Sequence, residues 1–146
     1  MLLDKQTQFS DAQAITASAA STNYIDQSVI KNLGVGEELT LVVLVTVAFT
    51  DTGSDSTVTP SLQTDDNTSF SSAATIRTFD TLAALSAAGT QRIYKLEPYT
   101  QAGIYERYIQ LYYTVAGGNL TTGSISAFLT LNAQAWKSYA VGYTVS

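Results

Sequence analysis

The chain has 146 residues and a net charge of −5, and only 13% of its residues are charged while 45% are hydrophobic. Ser and Thr, 36 together, supply most of the polarity, a balance that fits a single folded domain over residues 1–146 rather than a disordered chain. With no His and no Cys, the usual ligands for zinc, copper, haem and iron–sulfur centres are missing, as are His- and Cys-based catalytic groups, and the acidic balance argues against a nucleic-acid-binding face.

In chain order, the opening Met1-Leu2-Leu3-Asp4-Lys5-Gln6 has neither a basic stretch nor a long apolar run, so it does not read as an export signal, and synthesis in the cytoplasm is expected. Small alternating residues over Ala12–Ala20 predict a strand, and Asn23–Ile30 predicts another. Asn32–Glu38 reads as a turn that delivers the chain into Leu39–Phe49. That run is rich in β-branched residues and apolar on nearly both faces. This fits a central strand covered on both sides, or one with a subunit contact on its outer face. At 11 residues it is too short for a membrane helix.

Ser56–Thr64 alternates, with Val58 and Leu62 on one face and Thr57, Thr59 and Gln63 on the other. Its Pro60 predicts an edge or bulged strand, because proline cannot donate to a ladder. Ala74–Phe79 is a short strand. Thr81–Gly89 reads as a short helix capped by Thr81 and ended by Gly89, with a plain loop as the alternative. Gln91–Leu96 is a strand ended by Glu97-Pro98.

Ile104–Val115 is a strong strand. Ile109, Leu111, Tyr113 and Val115 share one face with Tyr105 and Arg107, and Tyr108, Gln110, Tyr112 and Thr114 share the other with Glu106. Ala116-Gly117-Gly118-Asn119 reads as a turn into the strand Gly123–Leu131, which predicts a hairpin. Seven or eight short strands spaced by turns predict an all-β sandwich or barrel.

Two acidic loops invite a chemical reading. Asp51-Thr-Gly-Ser-Asp55 resembles the start of a calcium loop but lacks the acidic residue that would close it, so a polar turn is the simpler reading. Asp65-Asp66-Asn67 could join it in holding a cation only if the two loops meet. Nothing selects a facing carboxylate pair of the glycosidase kind, so no enzymatic activity and no cofactor is expected. Tyrosine is abundant, at 9 residues, with Tyr105, Tyr108, Tyr112 and Tyr113 on one strand. Three readings stay open for these rings: cross-strand packing, a protein contact, and stacking against sugars. The aromatic tail from Ala135 to Ser146 reads as a last strand or as an arm reaching a neighbouring subunit.

Several stretches carry a family resemblance. They are Asp4-Lys5-Gln6-Thr7 with Phe9–Thr16, Ile25-Asp26, Asn32–Glu37 and the long strand ending Ala48-Phe49-Thr50. Ser61–Asp66, Arg107–Val115 and the Gly117–Gly123 turn complete the pattern. Together they resemble the capsid cement proteins of tailed phages, of the Bordetella-phage decoration type. The resemblance implies a jelly-roll β-sandwich on the exterior of an icosahedral virion, assembled in the host cytoplasm. It also implies a small homo-oligomer, a dimer before a trimer, that clamps major capsid protein subunits and binds neither nucleic acid nor membrane. Self-association is expected at Leu41, Val43, Tyr108 and Tyr112. Capsid contact is expected at Leu2, Leu3, Phe9, Asp51, Asp55, Asp65 and Phe70. The alternative function is a carbohydrate-binding sandwich module.

Overall fold

Period-two alternation of apolar and polar residues produces strands, and a computed structural model describes them for residues 5–27, 39–96 and 105–131. In chain order they are β1 (Gln8–Ala14), β2 (Ala19–Ala20), β3 (Ile25–Asp26), β4 (Thr40–Thr50), β5 (Thr57–Asp65), β6 (Ala74–Thr78), β7 (Gln91–Lys95), β8 (Tyr108–Ala116) and β9 (Thr122–Thr130). A 3-10 turn over Lys5–Thr7 is the helical element among the described residues.

One sheet runs β1-β9-β4-β7. The other runs β2-β8-β5-β6, with β3 also pairing β8. Every pairing is antiparallel. If β2 and β3 count as one interrupted strand, the pairs nest: first with last, second with seventh, third with sixth, fourth with fifth. That is a long hairpin of strands rolled up into two sheets, the jelly-roll arrangement.

The core lies between the sheets. From β4 it takes Leu41, Val43, Val45 and Phe49, and from β9 Ile125, Ala127 and Leu129. Across from them stand Val58 and Leu62 of β5 with Ile109, Leu111 and Tyr113 of β8. The register sets Leu62 opposite Leu111 and Leu41 opposite Leu129, so like faces meet. Each such side chain, fully buried, contributes about 1.5–3 kcal/mol of transfer free energy. Tyr113 also ties the sheets together. Its hydroxyl lies 2.8 Å from Ser10 Oγ, which itself donates to Gln13 Oε1 at 2.7 Å. With the serine proton committed there, Tyr113 is the donor in the bond between the sheets. Gln13 Nε2 continues the chain to the Ala20 carbonyl at 2.8 Å.

Four expectations need correction. First, β8 and β9 do not form a hairpin. They lie in different sheets, and the Gly117-Gly118 turn carries the chain from one layer to the other. Gly117, at φ +87°, is required there: a Cβ would sit 2.5 Å from the Asp55 carbonyl oxygen. Second, β5 is an interior strand despite Pro60. The Pro60 carbonyl accepts from Phe79 N–H at 2.9 Å, so its nitrogen faces the same side, just beyond the end of β6. The missing donor therefore falls where the ladder has already ended. The bulge in this pairing belongs to β6, where Ile76 is the extra residue opposite the Leu62–Gln63 step, and not to β5 at Pro60. Third, Ala12–Ala20 is not one strand. β1 begins earlier, at Gln8, and the chain leaves it at Ile15 to enter the other sheet as β2. Fourth, Thr81–Gly89 is the loop alternative. Leu82 exchanges both backbone bonds with Val58, at 2.8 and 3.0 Å, which takes the groups a helix would need. Thr81 Oγ1 bonds Thr59 Oγ1 instead of capping.

Candidate functional site

The alternation read for β8 places Tyr108, Gln110 and Tyr112 on the outer face of its sheet. In the register, Tyr108 stands opposite Asp65, Gln110 opposite Gln63, and Tyr112 between Ser61 and Ala20. Two connections rise beside this face. Residues 21–24 link β2 to β3, and residues 66–73 link β5 to β6. Between them lies an open cleft of about 800 Å³, lined by Tyr24, Phe70, Tyr112, Gln63, Gln110 and the small polar residues of both connections. Gln110 Nε2 donates to Gln63 Oε1 at 3.0 Å, fixing the two amides together. Tyr24 packs edge-on against Tyr108 at 5.5 Å between centroids and tilts toward Phe70 at 6.2 Å.

Asp65 organises the 66–73 connection. Its buried carboxylate accepts from Ser72 N at 2.9 Å and from Asn67 N at 3.1 Å, and also from the Asn67 side-chain amide at 2.7 Å. Burial by itself raises its pKa. The Ser72 and Asn67 amides and the neighbouring hydroxyl outweigh this and leave it below the ordinary value. The loop so pinned holds Phe70 at φ +49°, in the left-handed region that a bulky side chain rarely adopts. At the rim, Arg107 meets Asp26 through two bonds of 3.0 Å and lies over the Tyr108 ring at 4.9 Å.

The second acidic loop lies elsewhere. Asp51 and Asp55 precede β5 and Asp65 is its last residue, so nearly the whole nine-residue strand separates them, about 26 Å at the usual rise. The loops do not meet, and no group of acidic residues suited to a metal ion occurs among the described residues. Asp51 serves the turn: its Oδ2 accepts from Asp55 N at 3.2 Å and Ser56 N at 3.1 Å. Hydrogen bonding from the Ser56 side chain, opposed by burial and reinforced by the amides of Ser56, Gly53 and Asp55, holds its carboxyl down to about 2.

Both carboxylates therefore favour the fold in their ionised form. For Asp51 that contribution is present above the ordinary value of 3.8 and is lost as the pH falls toward 2, and for Asp65 it is lost below 3.8. Hydrogen exchange measured from pH 5 down to pH 2 should show the Ser56 and Ser72 amides losing protection across this window while the Leu111 amide keeps it. Asp51→Asn should remove the pH dependence at Ser56 alone. Unchanged protection of Ser56 in the wild type at pH 2 would contradict the assigned hydrogen bonds.

The structure thus gathers Asp65, Phe70, Tyr108 and Tyr112 into one region and leaves Asp51 and Asp55 at the far end of the sandwich. Leu41, Val43 and Phe9 are corrected outright: they are core residues, at most 1% exposed, and present no surface to a partner. Asp65, 0% exposed and committed to its own loop, is corrected with them as a capsid contact. The other face of β4 carries Val42 and Leu44, opposite Phe128 and Ser126, and Val42, at 1% exposed, presents no surface either. Leu2, Leu3 and the aromatic tail lie outside the described residues. Sequence reasoning missed Tyr24, Gln63 and Gln110 as members of one site. Alternation placed the two glutamines on outer faces, but no local signal brings Tyr24 over β8.

A family model described as Bbp16 matches residues 9–129, from the second residue of β1 almost to the end of β9. No curated protein matches the sequence. A match spanning both sheets and most of the chain settles the family: the chain belongs to the Bbp16 family, whose name points to a Bordetella phage protein.

Proposed function

We propose that this protein is a capsid decoration protein that binds the outer surface of an assembled phage shell and bridges neighbouring major capsid protein subunits. The observation that carries this reading is the phage-related family match across the whole sandwich. The site chemistry agrees with it. Asp51 and Asp65 are engaged in holding turns, an arrangement suited to a rigid binding body rather than to bond making and breaking. The protein acts without a cofactor, as a small homo-oligomer. It binds the assembled lattice and not free subunits, so it stabilises the shell by mass action. Many modest contacts on one lattice add up to strong reinforcement.

The test is size exclusion with light scattering, on the protein alone and after mixing with cognate empty shells. The expected result is a small oligomer that moves into the shell fraction and raises the temperature at which shells rupture. Protein that stays entirely in its own peak would overturn the reading.

A further inference from the structure

We propose that the cleft over β8 and β5 is a binding site for a neutral saccharide. This goes beyond shell binding and does not depend on it.

Three observations converge on that ligand class. The cleft, at about 800 Å³, falls within the usual range of small-molecule sites, about 300–1,000 Å³. Tyr24, Phe70 and Tyr112 offer ring surface to it, and the polarised C–H face of a sugar packs well on an aromatic face. Beside the rings stand the Gln63–Gln110 amide pair and the hydroxyls of Ser69 and Ser72. An amide that gives one bond to its neighbour keeps further donor and acceptor capacity, which suits vicinal sugar hydroxyls that both donate and accept. None of the described lining residues is charged. That lining suits a neutral polyol, which needs no counter-ion, better than a phosphate or carboxylate.

The backbone points the same way. Phe70 is held at φ +49° by a loop whose hydrogen bonds converge on Asp65. A non-glycine residue pays roughly 1–2 kcal/mol for that conformation, and such local strain clusters at binding sites. A loop ordered before the ligand arrives also loses less entropy on binding.

The test uses the full-length protein and three probes, cellotetraose, maltotetraose and tri-N-acetylchitotriose, each followed by calorimetric titration. Saturable binding of at least one is expected. Tyr112→Ala and Phe70→Gly should each weaken it at least about tenfold. Phe70→Gly is the informative variant, because glycine suits φ +49° and the strain it relieves offsets part of the lost ring packing on Tyr24. Leu85→Ala, at a residue 65% exposed and outside the cleft lining, should bind as the wild type does. Both cleft variants should still co-migrate with shells. The proposal is overturned if no probe saturates the wild type, or if both variants bind as tightly as it does. It is also overturned if the variants lose shell binding while no sugar binds, since the cleft would then be a protein-docking surface.

Discussion

Gly123→Ala is expected to destabilise the protein by about 3 kcal/mol. Gly123 has φ +151°, and a Cβ there would overlap the buried ring of Phe49. The ring lies over the glycine because β4 departs from regular register between Val47 and Thr50, opposite this part of β9. Backbone strain and overpacking therefore add. A loss of this size corresponds to a fall in melting temperature of roughly 10 °C for a domain of this length. Gly89→Ala is the comparison. Gly89 has φ +87° but nothing within 4 Å of its added Cβ, so only the conformational cost of about 1 kcal/mol applies. Thermal unfolding followed by circular dichroism measures both. Equal losses would mean that Phe49 is not the cause.

Tyr113→Ala should cost still more, about 4 kcal/mol, because it empties a fully buried site between the sheets. Tyr113→Phe isolates the hydroxyl. It should cost about 1 kcal/mol, the net value of one buried hydrogen bond, here the one to Ser10. Ser10→Ala should cost correspondingly less once Tyr113 is already Phe. The hydroxyl also makes an alkaline prediction. Burial pushes the Tyr113 pKa above its ordinary value of 10.0, against the lowering effect of the Ser10 bond. The unfolded chain ionises first, so the Tyr113 contribution is intact below pH 10 and declines as the pH rises further. Urea midpoints between pH 8 and pH 11 should fall less steeply for Tyr113→Phe than for the wild type. Identical slopes would remove Tyr113 from the alkaline transition.

How much of this was legible in the sequence varied with the range of the interaction. The all-β class and the faces of β5, β8 and β9 follow from alternation, and Val58, Leu62, Ile109, Leu111 and Tyr113 point inward as read. The long strand β4 defeated the same logic. Both its faces are apolar, so periodicity could not say whether Leu41 and Val43 or Val42 and Leu44 faced the core. Partner choice was equally hidden. A Gly-Gly turn between two strands reads locally as a hairpin, yet Leu111 pairs with Leu62 and Leu129 with Leu41. The nested order came from the family resemblance, not from the residues. At the site, Tyr112 was legible as an outward aromatic and Phe70 as part of a contact loop, but Tyr24 joins them only because β2 and β3 meet β8 from the far end of the chain.

The first strands of this protein are also its last to find partners. β1 pairs with β9, and the Ala12–Ser126 bond spans 114 residues; β2 and β3 wait for β8. On a ribosome adding about 5–20 residues per second, the amino-terminal strands emerge several seconds before anything exists for them to pair with. Neither sheet can close until β8 and β9 have emerged, so the sandwich is complete only once those strands are available. Contacts this distant in sequence also place refolding in the millisecond-to-second range of all-β domains. Until β9 arrives β4 has only β7 beside it, so its other edge is the one left open to a neighbouring nascent chain.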